Sequence, residues 1–124
     1  MQFKTPQIQD IKDVRVAAVI QPGKIVINKG SNDGVVKSME FVIFEQGPDI
    51  IDPISKKSLG KLENVKGEFK VFHIQDSITT LLSKKTINKT LFESLAAEDT
   101  EITLIKSVKE GDCARVINIS YNYE

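Results

Sequence analysis

The 124-residue sequence predicts a mainly β fold: a small closed or partly open barrel of about five to seven antiparallel strands with one inserted helix. Two observations predict it. Short runs rich in valine and isoleucine alternate with a period of two, and they are separated by glycine and proline breakers. Only one stretch, residues 86–97, has apolar residues at helical spacing. The length suits one domain, expected over residues 14–119, with an N-terminal extension at 1–13 and a short tail at 120–124.

The first strand is read from Val14, Val16, Ala18 and Ile20, which alternate with Arg15, Ala17 and Val19. Pro22-Gly23 reverses it, proline presetting φ and glycine accepting the positive φ of the next turn position. Ile25-Val26-Ile27 pairs back as the second strand. Lys29-Gly30-Ser31-Asn32-Asp33-Gly34 then reads as a compact turn. Residues 39–44 form a strand that is apolar on both faces. Breakers at Gly47-Pro48, Asp52-Pro53 and Gly60 predict a long surface connection over residues 46–60, tethered by Ile50, Ile51, Ile54 and Leu59.

A long strand region is expected over residues 61–82, with a bulge or bend at Gly67 and a second break at Asp76-Ser77. In residues 86–97, Ile87, Leu91 and Leu95 recur four apart, the signature of a helix of about three turns. Alternation returns at residues 101–105, and Lys109-Glu110-Gly111-Asp112 turns the chain into a last strand at 113–119. Closure of such a sheet matters, because unpaired β-branched edges template aggregation.

The catalytic inventory is thin. One cysteine, Cys113, excludes an internal disulfide, and one histidine, His73, excludes a multi-histidine zinc site. His73 is read as a structural residue on the strand face of Phe69 and Val71, and Cys113 as a small buried hydrophobe. The glycines at 30 and 34 lack the residues of a phosphate loop, and only Asp33 is acidic there, which excludes an EF-hand. No catalytic residues, no metal ligands and no cofactor are expected.

Lys+Arg and Asp+Glu both number 17, but residues 55–90 hold eight lysines against three acids, while residues 91–124 are acidic. The lysines at 56, 57, 61, 66, 70, 84, 85 and 89 could face an anionic partner, and nucleic acid is the alternative reading for a small barrel. Against it, arginine and tryptophan are missing from the stretch, and Phe69 and Phe72 are read as core. No run approaches a membrane span, and no apolar leader opens the sequence. The expectation as written is a cytoplasmic chain, or a periplasmic one if it is a fragment of an exported protein.

Residues Ile25-Val26-Ile27-Asn28-Lys29-Gly30-Ser31-Asn32-Asp33-Gly34-Val35, followed by Phe41 and Ile43, resemble the hairpin of the C-terminal β-barrel domain of bacterial flagellar assembly protein T and its relatives. Ile51-Asp52-Pro53 with Leu59-Gly60 is similar to that family's following connection, and Gly111-Asp112 with Arg115-Val116 to its closing strand. Departures occur at Ser38, where the pattern has glycine, and at residues 55–58, where it has Thr-Gly-Glu. The same hairpin is similar to part of rod-shape-determining protein C. The resemblance implies a bacterial, non-enzymatic barrel that binds protein, a second copy of itself included, within a larger assembly. Asp33, Lys56, Lys57, Lys61, Lys84, Lys85, Lys89 and Leu91 are the candidate interaction residues.

Overall fold

A computed structural model describes residues 11–85 and 100–119. It is mainly β, with six antiparallel strands hydrogen-bonded into a ring. The strands are β1 (Val14–Gln21), β2 (Lys24–Ile27), β3 (Met39–Ile51), β4 (Ser58–Ile74), β5 (Thr79–Ser83) and β6 (Cys113–Ile119). Their order around the ring is β1-β2-β5-β4-β3-β6, and β6 returns to β1 through Val14↔Ala114. The expected helix at residues 86–97, the tail and most of the N-terminal extension lie outside the described residues.

The ring closes around side chains that the period of two sends inward. Ile25, Ile27, Phe41, Ile43, Phe69 and Leu81 are completely buried, with Val14, Val16 and Val116 beside them. Truncating one of the phenylalanines would remove about 3–5 kcal/mol. Val42 and Phe44, on the opposite face of β3, are buried as well, as the two-sided apolar pattern predicts. Gly23 reverses β1 into β2 at φ 82°.

Several expectations need correction. The alternation of β1 fails after Val16, because register shifts on either side of Ala18 and Val19 turn the strand, and Ile20 is exposed. Residues 101–105 are not a strand. Thr100–Lys106 forms a helix, α1, with Glu101 in its first turn and Lys106 in its last, both placed to suit the helix dipole. Ile102 and Ile105 lie three apart, so this short run fits either period, and tertiary packing decides it. Ile105 is buried where a Cβ on Gly67 would meet it at 3.0 Å, so the missing side chain at Gly67 admits the helix.

The bulge expected at Gly67 is present one residue earlier. Ile43 pairs with Gly67 and Phe44 with Val65, which leaves Lys66 as the extra residue. The insertion reverses the phase of β4, turning Lys66 inward and Val65 outward. Lys66 is 8% exposed, and its ammonium donates to the Asp112 carboxylate at 2.8 Å and to the Ser107 carbonyl at 3.0 Å. Asp112, with a side chain 1% exposed, also accepts the Lys109 amide at 2.9 Å. One charge pair thus joins the bulge of β4 to the segment that links α1 with β6.

The connection at residues 46–60 is a turn only at residues 52–57. β3 and β4 continue past the ring as a two-stranded ribbon, paired through Gln46↔Glu63, Asp49↔Lys61 and Ile51↔Ser58. Two register shifts bend it, and Pro48 sits within it on β3, where it supplies no N–H. Ile50, Ile51, Ile54 and Leu59 do not tether this segment. All four are exposed.

The buried pair makes a definite demand. Lys66→Met leaves a carboxylate stranded away from water and should lower the unfolding free energy by about 3–5 kcal/mol. Lys66→Met combined with Asp112→Asn should recover most of that loss, since asparagine keeps an acceptor for the Lys109 amide. Urea unfolding of the two variants reads the difference; a single-variant loss below about 1 kcal/mol would show a solvent-screened pair instead.

Candidate interaction surface

The hairpin residues that carry the resemblance are occupied with structure. Asn28 accepts the Arg15 amide at 2.8 Å and donates to the Asp13 carbonyl at 3.1 Å, which anchors the start of β1. At Gly30 a Cβ would run into the Gln75 and Asp76 carbonyls, so the backbones approach there only because no side chain intervenes. The Ser31 and Asn32 amides bond those same two carbonyls. Asp33, a candidate contact residue, is exposed and its carboxylate accepts the Gly30 amide at 3.0 Å, closing a short 3₁₀ turn at Ser31–Asp33.

The lysines separate into two groups. Toward the ring three are paired, Lys66 with Asp112, Lys84 with Glu40 and Glu68 at 3.3 Å each, and Lys85 with Glu101 at 3.3 Å, while Lys70 has no ion pair among the described residues. Lys109 holds Glu45 at 3.0 Å, and Arg115 grips Glu63 through two nitrogens. No ion pair between described residues involves Lys56, Lys57 or Lys61, which all sit at the far end of the ribbon. The stretch therefore does not present one row of free ammonium groups, and Lys89 and Leu91 lie outside the described residues.

The ribbon tip is a built turn. The Asp52 carboxylate accepts the Ile54 and Ser55 amides, its backbone N–H and C=O bond Lys57 and Lys56, and the Ser58 hydroxyl accepts the Gly60 amide. Lys56 has φ 63°, a left-handed conformation, at the position where the family pattern carries glycine. Around this frame Ile54 is 91% exposed and Leu59 67%, with Ile50, Ile51 and Leu62 exposed nearby. Isolated exposed aliphatics are ordinary; five on one projecting ribbon are not.

A second exposed feature corrects the reading of Phe72 and His73. A register shift between Val71 and His73 makes Phe72 the extra residue of β4, so both side chains face outward, and Phe72 is 52% exposed with the Lys24 ammonium 5.4 Å from its ring centre. Sequence alternation alone could not show this, because the insertion has no compositional mark. Cys113 is half-buried. Among the described residues no three potential ligands cluster as a metal site would require, and no helix is long and apolar enough to cross a membrane.

The groove between β4 and α1, about 500 Å³, is lined by Lys66, Glu68, Lys84, Lys85, Glu101 and Leu104. Its charged groups are bonded to one another or to neighbours. Comparison with protein-family models and with curated proteins finds no match.

The charge pairs set a pH dependence. Hydrogen bonding to Asn118, with Lys84 nearby, lowers the Glu40 carboxyl below its ordinary 4.5, and Lys109 lowers Glu45 in the same way. The Ile54 and Ser55 amides lower Asp52 below 3.8. Lys84, facing Glu40 and Glu68, and Lys109, facing Glu45, are raised above 10.5. A lowered carboxyl stabilises the fold above its unfolded value and loses that contribution as pH falls through the folded value. The raised lysines contribute below 10.5 and lose it as pH rises past their folded values. The urea midpoint should therefore hold between these limits and drop on both sides, and Glu40→Gln with Glu45→Gln should flatten the acid limb; an unchanged acid limb would show that these carboxylates do not govern it.

The turn offers a separate check. Lys56→Gly should relieve about 1 kcal/mol of left-handed strain and slow exchange of the Asp52 amide about fivefold. Equal exchange rates in the two proteins would show that the position carries no strain.

Proposed function

We propose that this chain is a non-enzymatic protein-interaction module, a bacterial component of a larger assembly, whose contact surface is the β3–β4 ribbon. The observation that carries the reading is the projection of residues 46–63 beyond the ring with Ile51, Ile54, Leu59 and Leu62 in water. A two-stranded ribbon alone is marginal in water, so a sequence that places its aliphatics there gains little for folding and keeps an apolar surface for a partner. The hairpin and turn residues similar to those of the flagellar assembly protein T barrel domain support the same reading. The ring supplies a rigid base, clamped to the ribbon's root by Arg115 on Glu63 and Lys109 on Glu45.

Nucleic-acid binding is the less favoured reading. Exposed Phe72 beside Lys24 suits a stacked base, but Lys66, Lys84 and Lys85 of the basic stretch are bound to carboxylates.

A photo-activated cross-linking residue placed at Ile54 or Leu59 and, as a control, at Lys37 distinguishes the possibilities in the source cells. The module reading expects discrete protein adducts, another copy of the chain included, from the ribbon positions and not from the control. Adducts to nucleic acid, or equal yields from all three positions, would overturn it.

A further inference from the structure

We infer that the aliphatic face of the ribbon packs against the same face of a second copy of this chain, across a two-fold axis. The inference rests on the ribbon being the contact surface and names its partner. Asp49 pairs with Lys61 and Ile51 with Ser58, so these four share one face, and Glu63 lies on it with Lys61. Ile50, Leu59 and Leu62, each next to one of those residues, project to the other face, and all three are exposed. Leu59 and Leu62 are three apart and would alternate in a regular strand. The register shift beside Gly60, whose φ is 109°, brings them onto one side, and the Ser58 hydroxyl holds the irregularity by accepting the Gly60 amide at 3.2 Å. On β3, a Cβ at Gly47 would meet the Leu62 Cβ at 3.3 Å, so glycine there keeps this face flat. Both irregularities of the ribbon thus serve one open aliphatic strip, with exposed Ile54 beyond it at the tip.

Charge selects the occupant. Residues 46–63 hold three lysines, Lys56, Lys57 and Lys61, and three acids, Asp49, Asp52 and Glu63. The ribbon therefore offers no surplus of either sign to a strongly charged partner or to an anionic bilayer. An aliphatic strip flanked by equal numbers of both signs is complementary to itself, and the whole chain has a net charge of zero, so two copies approach without repulsion. The edges are interrupted at Pro48 and at Gly60, which directs the copies to meet through faces rather than by adding strands. Two ribbons stacked about 10 Å apart form a four-stranded sandwich in which each strip covers the other. The strip is only about 20 Å long, so the pair buries less than the roughly 1,200 Å² of a permanent complex and forms reversibly.

Sedimentation equilibrium of the full chain, from low micromolar to near-millimolar concentration, should show monomers in reversible exchange with dimers and nothing larger. Leu59→Glu and Leu59→Lys change an exposed side chain in the middle of the strip, and each should raise the dissociation constant about tenfold or more. Mixed together, the two variants should pair again, because the two-fold axis brings position 59 of one copy near its counterpart. Ile51→Lys, on the opposite face, should leave the dimer unchanged. Monomers at every concentration, growth beyond dimers, no recovery in the mixture, or equal weakening by Ile51→Lys would overturn the second copy as occupant. Cross-links from Ile54 to a different protein, in a chain that stays monomeric, would overturn it while leaving the interaction reading standing.

Discussion

The buried pairing of Lys66 with Asp112 is the constraint on which the division of this molecule depends. A charge taken out of water requires a partner in place, and here the partner lies on the segment that leads into β6. The lysine that meets it is the extra residue of β4, and that residue changes which face of the strand looks inward. On one side of the bulge Phe69 and Val71 fill the ring; on the other, Val65 and Leu62 face water. The same pair carries the Ser107 carbonyl at the end of α1, so helix, ring and ribbon root are fixed together.

Much of the ring was legible in the sequence. The β-branched runs of β2 and β6, the Pro22-Gly23 reversal and the turn after Lys29 follow from local chemistry, and the structure places them as the residues suggest. What sequence reasoning missed depends on register. The extra residues at Lys66 and Phe72 look like ordinary strand positions, yet they decide that a lysine is buried and a phenylalanine exposed. The breakers from Gly47 to Gly60 suggested a loop; Asp52-Pro53 do turn the chain, but cross-strand pairing absorbed Gly47, Pro48 and Gly60 as bends in a ribbon. Thr100–Lys106 is the remaining case, a run too short for periodicity to choose between helix and strand.

The proposed contact surface draws only in part on residues that the sequence picks out. Lys56, Lys57 and Lys61 were singled out by charge, and they do gather at one end of the ribbon. Lys84 and Lys85 were singled out by the same signal but meet carboxylates on β3, β4 and α1, a pairing no linear count reveals. The aliphatics of the ribbon were expected to hold a loop down. Their exposure is the information that only the fold supplies, and it gives the turn motif around Asp52 a purpose: it holds Ile54 outward on a rigid frame.

The position of Pro48 limits what the ribbon can build. A sheet with two equivalent open sides can recruit copies without end, each newcomer offering the same template to the next. Here both flanks are interrupted, that of β3 at Pro48, which lacks a donor, and that of β4 by the register shift beside Gly60, whose φ is 109°. Such interruptions on both sides disfavour runaway fibre growth.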